Sequence, residues 1–269
     1  MYYIDGVKNH EKAFQNNAFL HGDAVKAHFF IRNSQLIMAE ECYFFLMASM
    51  RKMRMNIPLS FTLEFFSGIF IQAIQENNFQ NGVLELLAFR NKEEDFDAKT
   101  PVHYYFELKQ LQDVLTVNNT VEIDLIKEVF VNTNILSNIR VHSPENIYAA
   151  IYAKENDLDD VILLNPEKRI ARTISGNLLL LEGNTIKVPK QSEGAYISPL
   201  MENFVTFVFK NNLAVVEESE LSAFESQKAE EILIISDEKG LFSVAKIRNK
   251  EFGTEKFLAM VEAWRNSFS

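Results

Sequence analysis

Apolar and polar positions alternate in some stretches of the chain and recur at helical spacing in others. Residues 24–32, AVKAHFFIR, are rich in β-compatible side chains and predict a strand, and the turn-forming pair Asn33-Ser34 follows. In MAEECYFFLMASMRKMRM (38–55) Met, Phe and Leu repeat at helical spacing, which predicts a long buried helix. Pro58 and Ser60 punctuate the chain, and FTLEFFSGIFIQAIQENN (61–78) predicts a second helix with a polar end. Residues 83–90 and 102–108 read as strands on either side of an acidic loop, NKEEDFDAK. The polar stretch from Leu115 to Thr120 is the expected break. It predicts an N-terminal α/β domain over 1–115, a linker over 116–120 and a C-terminal α/β domain over 121–269.

The second half opens with strand-like VEIDLIKEVFV, and Ser143-Pro144 then marks a helix start over ENIYAAIYAKEN, with proline at the first helical position. Four short strands are expected in VILLN, RIART, NLLLLE and NTIKVP, with Gly183-Asn184 as a hairpin turn. Ser198-Pro199 repeats the helix-start device. Ser222 to Glu225 has capping-box spacing, ILIIS and LFSVAKI read as strands, and Thr254 begins the last helix.

Composition narrows the function classes. The 269 residues carry 27 Lys+Arg against 37 Asp+Glu, a net charge of −10, with no basic run, so the attraction that drives binding to a phosphate backbone is missing and nucleic acid is not an expected partner. A single cysteine, Cys42, cannot form an internal disulfide. No apolar run approaches the ~18 residues needed to span a bilayer, and the first residues, MYYIDGVKNHEKAF, lack an apolar signal region. A cytoplasmic protein without membrane contact is the expectation. The 23 Phe against 9 Gly and 6 Pro describe a core-rich, loop-poor chain.

The common chemical signatures are absent: there is no Gly-rich phosphate loop, HExxH, paired CxxC or GxSxG. Ser243 and Lys246 have SxxK spacing but fall in a strand-like segment rather than at a helix start. His21 and His28, seven apart on an expected strand, point to opposite faces and make a poor metal pair. Asp157, Asp159 and Asp160 crowd a turn, where carboxylates are common, and Met47, Met50 and Met53 read as core filling.

One arrangement is more specific. The order of IYAKENDLDD, VILLN, RIART, ISGNLLLLEGNTIKVP and a Gly194-led loop into a helix, together with HGDA at 21–24, LMASMRKMRMNIP at 46–58 and FESQKAEEILIIS at 224–236, closely resembles the class IV aminotransferases. These are enzymes of fold type IV dependent on pyridoxal phosphate (PLP), and they include branched-chain and D-amino-acid aminotransferases and aminodeoxychorismate lyase. The resemblance implies an α/β, two-domain, D-amino-acid-aminotransferase-like architecture and a homodimer, with the Phe-rich first domain consistent with a buried contact there.

The family's site residues do not carry over. The position of the Schiff-base lysine falls in LSNIRVHSPEN on Arg140, with His142 and Ser143 as the other residues that fit; none is lysine. A guanidinium stays protonated and cannot form the imine that an amine makes with an aldehyde. The glutamate facing the pyridine nitrogen is matched by Arg172 in ARTISGNLL, while Asn177 is retained. A cation there disfavours the protonated ring that serves as electron sink. The phosphate-binding arginine falls on Phe45 and its neighbouring histidine on Cys42. In the second phosphate anchor, GAYISPLME, Ser198 replaces a glycine and Pro199 removes a backbone donor, and a late phosphate threonine is matched by Ile235.

The expectation is therefore a family member without PLP, a binding or scaffold protein whose catalytic set is empty. The alternative is an active PLP-dependent aminotransferase or lyase with a relocated lysine, Lys127 and Lys154 being nearest in sequence; a third class is an interaction partner of an active enzyme. Against the family pattern the pocket gains one positive unit. Arg140 and Arg172 are accordingly expected to converge on a small anionic ligand, or to pair with acidic groups such as Glu40 and Glu41, in a cleft that is either open or filled by Phe45 and Tyr196.

Overall fold

The computed structural model describes residues 2–4, 7–8, 17–90 and 99–268. Most of the acidic loop and of the N-terminal stretch lies outside these residues. The chain divides into two units, Met1–Val114 with Ile139–His142, and Leu115–Asn138 with Ser143–Ser269.

In the first unit, β1 (Tyr2–Ile4), β2 (Val7–Lys8), α1 (Asn17–His21), β3 (Ala24–Arg32), β4 (Gln35–Ile37), α2 (Ala39–Lys52), α3 (Leu63–Glu76), β5 (Gly82–Arg90) and β6 (Val102–Gln110) follow in order. The strands form one antiparallel sheet, β2-β1-β6-β5-β3-β4. The turn between β3 and β4 has both Asn33 and Ser34 at positive φ, the conformation that a two-residue hairpin of this twist requires. His21 ends α1 rather than extending a strand toward His28, so the two histidines belong to different elements.

Residues alternate across this sheet, and its two faces differ. On one face Phe29, Tyr104 and Phe106 meet Phe66 and Phe70 of α3: the Phe70 ring lies 4.8 Å from Phe29, 5.7 Å from Phe66 and 5.4 Å from Phe106, centroid to centroid. The abundant phenylalanine of this half is thus largely internal packing. Met47 and Met50 of α2 are core residues, as their spacing predicts, whereas Met53, just past the helix end, is only half-buried.

The other face of the sheet is charged. Register places His28, Glu85 and Glu107 in one row across three strands, and three nitrogens meet the buried Glu85 carboxylate: Lys109 Nζ at 2.9 Å, Lys26 Nζ at 3.1 Å and His28 Nε2 at 3.3 Å. Burial alone would raise the Glu85 pKa, yet the His28 hydrogen bond, the Lys26 charge and the Lys109 hydrogen bond together hold it well below the usual carboxylate range.

The second unit contains β7 (Val117–Phe130), α4 (Pro144–Glu155), β8 (Asp160–Leu164), β9 (Ile170–Thr173), β10 (Asn177–Glu182), β11 (Thr185–Pro189), α5 (Pro199–Lys210), β12 (Val215–Ser219), β13 (Glu231–Ser236), β14 (Gly240–Ile247), β15 (Lys250–Glu251) and α6 (Glu255–Asn266). Its sheet runs β12-β11-β10-β13-β14-β7-β8-β9, with β15 on β14. The β11–β12, β14–β7 and β7–β8 pairs are parallel. Residues 117–120, expected as linker, instead begin the 14-residue β7, because pairing with β14 satisfies their backbone. The boundary also differs from a single cut, since Ile139–His142 returns to the first unit, where Val141 bridges Val25.

Local signals fare well here, with three differences at helix starts. Ser143 does not cap α4 through its side chain; its hydroxyl donates to Glu145 Oε2 at 2.9 Å. The capping box from Ser222 to Glu225 starts a 3₁₀ turn, Ala223–Gln227, rather than an α-helix. Thr254 precedes α6 without a side-chain cap bond. Ser243 is buried in β14, and Lys246 faces Glu122 at 3.7 Å, which separates the SxxK pair.

Two outcomes follow from this packing. Phe70→Ala is expected to destabilise the protein by about 3–5 kcal/mol, because it opens a cavity among three rings; chemical denaturation measures it, and a loss below ~1 kcal/mol would contradict the packing. Glu85→Gln is expected to cost about 1.5–3 kcal/mol at neutral pH. Since the folded-state pKa is depressed, this contribution is complete above the ordinary carboxylate value of about 4.3 and fades as pH falls below it. Urea midpoints of both proteins between pH 7 and 3 should converge on the acid side; a constant gap would refute the ion cluster.

Candidate functional site

The sequence-predicted site residues fall in both units. In the first, Phe45 is buried on α2, with the fully buried Cys42 one turn earlier, so this stretch of the helix is apolar core and offers an anion nothing. Glu40 and Glu41 are exposed in the first turn of α2. Arg140 is buried, and its backbone carbonyl accepts the Lys26 N–H at 2.9 Å. His142 packs where a Cβ on Gly22 would lie 2.9 Å away; with φ at +68° as well, that turn requires glycine. Lys26, which sequence spacing did not single out, is the lysine whose backbone pairs with Arg140, and its amine is engaged by Glu85.

The second unit brings more of the predicted residues together. Gly176 precedes β10 so closely against β13 that a Cβ would sit 2.1 Å from the Ile235 carbonyl oxygen. This contact sets Asn177, paired in register with Ile235 and almost fully buried. The Asn177 amide clamps the loop that leads to α5: its Oδ1 accepts the Tyr196 N–H at 3.1 Å and its Nδ2 donates to the Tyr196 carbonyl at 3.2 Å. Both backbone groups of a buried loop residue are satisfied by one side chain.

The Tyr196 ring, 4% exposed, is then held on two sides. Asn146, near the start of α4, donates to its hydroxyl at 2.9 Å. The Arg172 guanidinium, on β9, lies 4.1 Å over the ring centroid and also donates to the Thr173 carbonyl at 3.1 Å. A buried guanidinium is thereby placed against a π face, an arrangement that offsets part of its desolvation.

Ser198 caps α5. Its hydroxyl accepts the Met201 N–H at 3.3 Å and donates to Asp237 Oδ1 at 2.6 Å, with both residues buried. Pro199 occupies the first helical position and supplies no N–H. Burial, then the charges of Asp237 and Glu218, raise the pKa of Glu202 in the same first turn. Ile235 is fully buried; the polar group that reaches the start of α5 is Asp237, two residues further on, which sequence reading missed although Ser-Asp directly follows the apolar run ILII.

Lys127 on β7 and Lys154 in the last turn of α4 are both exposed. Among the described residues no helix is long and apolar enough to cross a membrane.

Comparisons bear on this geometry. A family model described as amino-transferase class IV matches residues 45–247. No curated protein sequence matches the chain. Among solved structures, a branched-chain aminotransferase from Thermoproteus uzoniensis with norvaline is 16% identical, with 98% of this chain and 93% of that one covered and a TM-score of 0.87. A protein assigned as 4-amino-4-deoxychorismate lyase from Legionella pneumophila is 17% identical over 98% of both chains, with a TM-score of 0.86. The PLP form of a branched-chain aminotransferase from Thermobaculum terrenum is 15% identical over 99% of this chain and 92% of that one, also at 0.86. At these identities the likeness shows the fold, which is the α/β fold type IV.

Asn177→Ala should strand the buried N–H and carbonyl of Tyr196 and cost about 2–4 kcal/mol. Near-UV circular dichroism should lose tyrosine signal at the same time. An unchanged midpoint and spectrum would remove the clamp from this description.

Proposed function

The chain belongs to the class IV amino-transferase family, and from that membership we propose that it is a non-catalytic member, a binding or scaffold protein built on an enzyme fold. The observation that carries this reading is the Arg172–Tyr196 stack. The resemblance implies a glutamate opposite the pyridine nitrogen at this position; the residue present is a guanidinium already engaged with a ring and a carbonyl of the chain itself.

The side chains present do not fit PLP. The position implied for the imine-forming lysine holds Arg140, which has no nucleophilic amine at any working pH. Phe45 has no group to pair with a phosphate. Lys127 and Lys154, the candidates for a relocated lysine, are exposed, which supports solvated roles for both. A homodimer, as the family pattern implies, remains part of the proposal; light scattering should return twice the chain mass.

The test is direct. PLP added to purified protein, followed by borohydride and peptide mass spectrometry, is expected to give no visible absorption band and no pyridoxyl-lysine. A stoichiometric adduct on one lysine, Lys26 included, together with amino-donor turnover, would overturn the proposal in favour of an active aminotransferase or lyase with a relocated lysine.

A further inference from the structure

We infer that Asp237 fills, with its own carboxylate, the anion cradle at the start of α5, so that this helix start is closed to phosphate. The inference deepens the reading above by naming what stands where the cofactor's phosphate is implied.

A helix start favours negative charge because its first N–H groups point outward and the peptide dipoles add. In this chain that preference is met internally. Asp237 is 1% exposed and Ser198 is fully buried, and the Ser198 hydroxyl donates to Asp237 Oδ1 over a short 2.6 Å. The same hydroxyl accepts from Met201 N–H, so it links the carboxylate to the helix backbone. Pro199 removes one first-turn donor, and Met201 gives its own to Ser198, which reduces what a bound anion would find.

The carboxylate is also held in place from its own side. Asp237 begins the turn between β13 and β14. Ser236 anchors that turn by donating to the Ser175 carbonyl at 2.7 Å and accepting the Lys239 N–H at 3.1 Å. A phosphate within reach of the Ser198 hydroxyl would lie beside this fixed negative group and be repelled.

Three proteins test the inference, each titrated with inorganic phosphate against chloride at equal ionic strength, by calorimetry and by thermal unfolding. The wild type should show no phosphate-specific binding or rise in Tm. Asp237→Ser, which removes the charge and leaves room, should bind phosphate about tenfold more tightly or better and gain Tm with it. Asp237→Asn, which keeps the shape, should unfold at a lower temperature than the wild type and respond to phosphate only weakly. If Asp237→Ser does not fold, the wild type and Asp237→Asn decide the matter. Phosphate binding by the wild type that Ser198→Ala abolishes, an Asp237→Asn variant as stable as the wild type, or a folded Asp237→Ser variant indifferent to phosphate would each overturn the inference. None of these readouts involves an imine, so they fail or succeed separately from the borohydride assay.

Discussion

A loop that runs through the interior must find partners for its backbone, and in the second unit the Asn177 amide provides them for Tyr196. The clamp exists because Gly176 lets β10 approach β13 without a side chain between them. Once the backbone of Tyr196 is fixed, its ring becomes a rigid platform: Asn146 holds the hydroxyl and Arg172 covers the face. The position of α5 follows from the same loop, since Ser198 is two residues further along. The clamp gives this asparagine a role in folding.

The molecule buries several charges and stabilises each differently. Glu85 is surrounded by Lys26, Lys109 and His28, a cluster that keeps it ionised despite its low exposure. Arg172 has an aromatic face and a carbonyl. Asp237 has one hydroxyl and the field of a helix start. Burying an ion without such partners costs several kcal/mol, which is why each charge sits beside a group of opposite or complementary polarity. In the second unit, Arg172 and Asp237 each find these partners within the unit.

Much of the architecture was legible locally. The Asn33-Ser34 turn, the hairpin at Gly183-Asn184 and the helix start at Ser198-Pro199 depend on neighbouring residues and on backbone conformations that few residue types adopt. Less legible were events that depend on distant strands. Residues 117–120 look like a linker because they are polar, but a parallel partner 123–124 residues away makes them strand. Ser143 looks like a cap, yet a carboxylate two residues on accepts its hydrogen bond instead. Asp237 resembles any turn aspartate until α5 is folded against it.

By itself, the amino-acid order determined most of the longer helices and strands and the fold that they build, because these rest on side-chain chemistry and on spacing along the chain. The tertiary structure alone decided that Arg172 meets Tyr196, that Glu85 collects two lysines and a histidine and that Asp237 reaches Ser198. Those pairings join residues 24 to 59 positions apart; strand register assembles the Glu85 cluster and loop packing the other two, and no local pattern encodes either.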